Sequence, residues 1–163
     1  MGFRNSSKFF KTEEEFRRMI DEGAFLEHTR VFGANYYGTP RAYVEQQLCA
    51  GQDILLDIDV QGALNVKRLC PEAVMMFLAP PSMSVLKSRL VGRGTESSEA
   101  VERRFHEAYG ELGHMGEYEY LVINDVLDKA VTELEQIIAA ERLRVCRNED
   151  FIVKFHAEGG QPL

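Results

Sequence analysis

The hydrophobic pattern along the chain changes its period near residue 53. Before that point the signals are short and local. Thr12 and Glu15 form a capping box ahead of Phe16, Met19 and Ile20 at helical spacing, and Gly23 is placed to stop that helix. "AFLEHTRVFGANYYGT" sets aromatic and β-branched residues around a Gly33-Ala34-Asn35 turn, which predicts a short hairpin or loop. Thr39-Pro40 then predicts the cap and opening of a second helix, closed by Gly51.

From residue 53 the rhythm becomes strand, helix, strand, helix. Ile54, Leu55, Leu56, Ile58 and Val60 predict a strand over 53–60 buried on both faces, followed by a helix over 63–69 that Pro71 breaks. "AVMMFLAP" predicts a second apolar strand, and Pro80-Pro81-Ser82 the start of a helix carrying Val85, Leu86 and Leu90. Ser97 or Ser98 caps a further helix with Val101, Phe105, Ala108 and Leu112 on one face. "YEYLVIN" predicts a third strand, and residues 125–144 a long amphipathic helix striped by Leu127, Val131, Leu134 and Ile138. No period is assigned after Cys146. Alternating buried strands and helices predict an α/β domain with a parallel sheet.

Composition narrows the picture. A chain of 163 residues, 45% hydrophobic, supports one domain with room for a small insert. The net charge of −7 gives no bulk attraction for nucleic acid or an anionic membrane, so any anion bound must meet a local basic cluster. Cys49, Cys70 and Cys146 are odd in number and lack CxxC pairing, which argues against a disulfide framework or zinc knuckle and for a reducing, cytoplasmic compartment. No signal-peptide core or membrane-length apolar run is present, and the Met-Gly start with Ser6 is a chance match to a myristoylation pattern.

Three groups of residues carry candidate chemistry. Asp57 and Asp59 share one face of an apolar strand, near the strand end where α/β sheets bind ligands and where an Asp can hold magnesium beside nucleotide phosphates. The alternative is a solvated pair at the strand exit. Gly92-Arg93-Gly94, with Arg103 and Arg104 in the next helix, suits phosphoryl oxygens through the guanidinium fork; equally, Arg103 and Arg104 fit a solvated face paired to Glu99 and Glu107. Glu27, Tyr37 and Thr39 lie close together in sequence on the expected hairpin. A carboxylate can accept from the ring N–H and exocyclic amine of guanine, and a hydroxyl can donate to its O6; an exposed Glu, a packed aromatic turn and a Thr cap are the plain alternative.

"EEEFRRMIDEGAFLEHTRVFGANYYGTP", "LLDIDVQGA", "FLAPPS", "RLVGRGTESSE", "YEYLVIND" and "IIAAERLR" together resemble guanylate kinase, in order, over about residues 8–147. The resemblance implies a P-loop-kinase-like three-layer α/β domain with a parallel sheet, a GMP-binding region over 8–52, core segments over 53–91 and 105–147, and a lid over 92–104, with 148–163 as a tail. It implies magnesium-dependent transfer of the γ-phosphoryl group of ATP to GMP, with GMP and ATP as partners of a monomer or dimer. By position, Glu27 and Thr39 fall on the residues that read guanine, and Tyr37 on a GMP-phosphate contact. Lys8 stands where the family has a phosphate-touching Tyr. Asp57 falls on the acid that organises magnesium, through water, and Asp59 on the GMP side of the cleft. Arg93 and Arg104 match the lid and helix arginines that stabilise the transferring phosphoryl group, and Asn124 falls on the ATP side.

The resemblance stops at the N-terminus. No GxxxxGK[ST] occurs anywhere in the sequence, so the phosphate loop and the first, central strand of the family fold are expected to be missing. From this follow three expectations: impaired catalysis by this chain, sheet edges open to mispairing, and Asp57 and Asp59 either raised in pKa or open to water. An inserted Ala34 is expected to shift Tyr37 and Thr39 slightly. A truncated kinase is one reading; a non-catalytic guanylate-kinase-like domain that binds a phosphorylated or acidic peptide is the other.

Overall fold

The computed structural model describes residues 11–31, 35–92 and 98–159, which form two compact units, Met1–Val74 and Met75–Leu163. In the first, Thr12 caps helix α1 (Glu13–Asp21): its hydroxyl accepts from the Glu15 amide while Glu15 accepts from the Thr12 amide. Gly23 (φ 64°) and Gly51 (φ 73°) sit in the left-handed region just past α1 and α2 (Arg41–Cys49), as the sequence predicts.

Between those helices, β1 (Phe25–Val31) and β2 (Asn35–Pro40) pair as an antiparallel hairpin. The Gly33-Ala34 turn lies outside the described residues. Phe16 stacks on Phe25 and Tyr36, with ring centres 4.4 and 5.3 Å apart, and so fastens α1 to the hairpin. Gly38 lets the strands close: a Cβ there would stand 2.9 Å from the Glu27 carbonyl oxygen and 3.0 Å from the Phe25 ring.

The strand predicted over 53–60 does not form. Residues 52–59 run without sheet pairing, and α3 (Val60–Leu69) begins three residues earlier than expected. Ile54, Leu56 and Ile58 pack on the buried cluster of Leu26, Val44 and Val66, while Leu55, Asp57 and Asp59 face water. The segment therefore alternates with period two and buries one side, which places both aspartates outside the core. A strand needs a neighbour's backbone groups, and among the described residues none pairs with this stretch.

In the second unit, β3 (Met76–Ala79) and β4 (Tyr120–Ile123) form a parallel pair with Met76 opposite Tyr120. The crossover between them holds α4 (Met83–Val91), capped by the Ser82 hydroxyl, and α5 (Ser98–Leu112). Phe77, Ala79 and Val122 are buried, but Leu78 and Leu121 are about half exposed (49% and 54%), so these strands are not covered on both sides as their apolar sequence predicts. Helix α6 (Leu127–Arg142) follows β4; of its predicted stripe, Leu134 and Ile138 are half-buried while Leu127 and Val131 are exposed. Residues after Cys146, to which sequence assigns no element, form helix α7 (Glu149–Glu158), with Phe151 and Phe155 exposed and stacked on each other. No helix among the described residues is long and apolar enough to cross a membrane.

Candidate functional site

Glu27 and Thr39 are direct cross-strand partners in the hairpin, so their side chains leave the same face. Thr39 Oγ1 donates to Glu27 Oε1 at 2.5 Å. This corrects the capping role predicted for Thr39: α2 has Pro40 at its N-cap and no side-chain cap bond. Thr39 stands one residue before the N-cap, within β2 and opposite Glu27, so its side chain leaves the hairpin face, where the carboxylate is a charged acceptor for its hydroxyl.

Glu27 is only 7% exposed, an unusual position for a carboxylate. Oε1 is occupied by Thr39, and among the described residues no donor meets Oε2. That oxygen lies against the first turn of α3, 3.3 Å from the point where a Cβ at Gly62 would stand. Asp59 belongs to the same turn. It is the N-cap of α3, and its Oδ1 accepts from the Gly62 amide at 2.7 Å. One glycine thus has a carboxylate from β1 on one side and the helix cap on the other.

Tyr37 projects from β2 and is 56% exposed, and Asp57 is exposed in the unpaired stretch before α3. Both aspartates are open to water, the second of the two states expected for them. Among the described residues no group of three or more His, Cys, Asp or Glu side chains is arranged to hold a metal ion. Magnesium does not require such a cage: one carboxylate, several waters and substrate phosphates complete its shell. An exposed Asp57 fits that donor set.

The second unit carries the remaining expected residues. Arg104 is half-buried on α5 and Asn124 half-buried just after β4. Arg93 and Lys8 lie outside the described residues. Asn124 is held in place by its backbone. Its amide donates to the Ala79 carbonyl at 2.8 Å, and its own carbonyl accepts from Arg89 Nη1 at 2.7 Å, with Arg89 Nη2 reaching the Asp125 carbonyl at 3.4 Å.

The guanylate kinase family profile matches residues 5–141. The chain belongs to the guanylate kinase family. It is 51% identical over 150 residues to a guanylate kinase of Caldanaerobacter subterraneus subsp. tengcongensis, covering 92% of this chain and 72% of that protein. Over 141 residues it is 48% identical to the guanylate kinase of Escherichia coli K12, covering 86% and 68%. Among solved structures, guanylate kinase from Anaplasma phagocytophilum superposes with a TM-score of 0.70 at 30% identity, covering 90% of this chain and 73% of that one. The fold is therefore guanylate-kinase-like, and its small parallel sheet flanked by helices agrees with the α/β class.

Two residues of this guanylate kinase family member escape sequence reasoning. Arg89 reads as an ordinary surface position of a helix, and its reach to the loop after β4 spans 35 residues, beyond any local pattern. Gly62 leaves a faint signal, since glycine in the first turns of a helix weakens it and calls for a reason.

Proposed function

We propose that this chain is a nucleoside-monophosphate kinase domain that binds GMP at the Glu27–Thr39 hairpin and serves transfer of the γ-phosphoryl group of ATP to GMP, giving ADP and GDP. The observation that carries this reading is the nearly buried Glu27 carboxylate, with one oxygen held by Thr39 and the other left open. Guanine presents a ring N–H and an exocyclic amine side by side, a donor pair suited to that carboxylate. When the base arrives, its N–H groups take over the carboxylate and the Thr39 hydroxyl rotates to donate to O6. Adenine lacks both the donor pair and the O6 acceptor, so the same buried groups would be left unpaired against it.

Family membership supports the remaining assignments. Tyr37, exposed on β2, is assigned to the GMP phosphate together with Lys8, and Asp59 to the GMP side of the cleft. An oxygen of the GMP phosphate attacks the γ-phosphorus, the bond to the ADP oxygen breaks, and Arg93 and Arg104 are assigned to the charge that spreads over the transferring group. Magnesium, when bound, would neutralise charge on the phosphates, and Asp57 would hold it through water. Asn124 is assigned to the ATP side.

The 163 residues contain no GxxxxGK[ST], so we propose that turnover by them alone is slow while GMP selectivity is intact. Calorimetric titration with GMP and AMP, on the unaltered chain and on Glu27→Ala, tests the binding assignment. GMP is expected to bind at least tenfold tighter than AMP, with the preference lost in the variant; equal affinities in the unaltered chain would refute the reading. A coupled assay with ATP and GMP reports turnover, and rates ordinary for a kinase would refute the slow-turnover part alone.

A further inference from the structure

We infer that Gly62, the third residue of α3, is a specificity-determining position for the nucleobase: the missing side chain is what lets the Glu27 carboxylate hold its reading position. The inference deepens the GMP-binding assignment and rests on it.

A Cβ at position 62 would stand 3.3 Å from Glu27 Oε2, 3.5 Å from Glu27 Cγ and 3.3 Å from Asp59 Oδ1. The two 3.3 Å contacts are tighter than ordinary Cβ contacts, so the carboxylate oxygens would have to yield by a few tenths of an ångström, whereas 3.5 Å to Cγ is ordinary van der Waals contact. Glu27 has little room to do so. Its backbone is paired in β1, its side chain is nearly buried, and Oε1 is bound to Thr39. Rotating the carboxylate away from position 62 breaks that hydrogen bond or re-aims Oε2, the only oxygen of the pair free among the described residues to meet a ligand. Glycine is an otherwise poor choice here, because alanine stabilises a helix interior better. Its presence is explained by the carboxylate opposite.

A positioning role predicts a particular loss. Glu27 meets the ring N–H and the exocyclic 2-amine of guanine, both of which adenosine monophosphate lacks, whereas ribose and phosphate are common to GMP and AMP. Gly62→Ala should therefore lower the GMP-to-AMP affinity ratio about tenfold while changing AMP affinity less than threefold. A merely structural injury would lower both affinities in parallel. That result, or an unchanged ratio, overturns the inference. If the unaltered chain itself fails to prefer GMP over AMP, the proposed function falls and the inference with it, so the two failures are distinguishable.

A second measurement covers a variant too unstable to titrate. Melting temperatures of the unaltered chain, Gly62→Ala, Glu27→Ala and the double variant form a cycle in which the Asp59 contact is common to both Gly62→Ala steps. Gly62→Ala should lower the melting temperature when Glu27 is present and lower it less, or raise it, when Glu27 is absent. Equal shifts in both backgrounds would show that position 62 does not act through Glu27, which also overturns the inference.

Discussion

The Thr39 hydroxyl and the Glu27 carboxylate, facing each other across the hairpin at 2.5 Å, form one hydrogen-bonded unit at a nearly buried site. Thr39→Val keeps the shape and removes the donor, so it should destabilise the chain by about 1–3 kcal/mol, the usual effect of stripping a partner from a buried polar group. GMP affinity should fall roughly tenfold, corresponding to about 1.4 kcal/mol. Thr39→Ser should retain most of both. Denaturant melts and GMP titrations of the two variants provide the check, and a valine variant equal to the serine variant would contradict the unit.

Asp59 has two separable tasks, capping α3 through the Gly62 amide and, as proposed, serving the GMP side of the site. Asp59→Ala removes the cap and should cost about 1 kcal/mol of stability. Asp59→Asn preserves the capping oxygen but not the charge. Its melting temperature should stay near that of the unaltered chain while GMP affinity drops several-fold. Unchanged GMP binding by this variant would remove Asp59 from the binding residues and leave it a helix cap.

Stability should depend on pH through a pair in the second unit. Tyr120 donates to the buried Glu141 carboxylate at 2.7 Å, and Arg144 and Arg147 approach the other oxygen at 3.2 and 3.5 Å. The Tyr120 hydrogen bond, seconded by Arg144, holds the Glu141 carboxyl below its ordinary value of 4.5; the Glu141 carboxylate beside it raises the Tyr120 hydroxyl above 10.0. A lowered carboxyl contributes stability that is present above pH 4.5 and lost as the pH falls through the folded value. A raised hydroxyl contributes stability that is present below pH 10.0 and lost as the pH rises through its folded value. The melting temperature should therefore fall at both ends of the scale. Tyr120→Phe should erase this pair's part of the alkaline fall and shrink the acid one; a profile identical to that of the unaltered chain would refute the coupling.

Arg89 ties α4 to the carbonyls of Asn124 and Asp125. Arg89→Ala should loosen the loop after β4, seen as faster hydrogen exchange at the Asp125 and Val126 amides, and, on the proposed assignment of Asn124 to the ATP side, should weaken ATP several-fold with GMP affinity unchanged. Arg89→Lys should rescue only partly, because an ammonium cannot fork to two carbonyls. Exchange at the rate of the unaltered chain would show that Arg89 does not order this loop.

What the sequence made legible was local. The Thr12–Glu15 box, the Ser82 cap and the glycine stops after α1 and α2 all depend on neighbours within a few residues, and each is found where the pattern puts it. Residues 53–60 failed as a strand because sheet pairing is a relation between distant segments, and five apolar side chains say nothing about whether a partner is present. Leu55 looked like core and faces water. Thr39 reads as a helix cap until Glu27 is seen opposite it, across a register that only the folded hairpin supplies. Helix α7 was missed for the converse reason: Phe151 and Phe155 recur at helical spacing but remain exposed, so no buried face sharpens the period.

The hairpin also sets an order in time. Glu27 and Thr39 are 12 residues apart, whereas Met76 and Tyr120, which begin the parallel pair, are joined by a crossover containing two helices. Hairpins close in about 1–10 μs, and parallel pairing waits for the longer chain between its strands to organise. As the chain folds, the contact proposed to read the base is therefore expected to close before the parallel pair does.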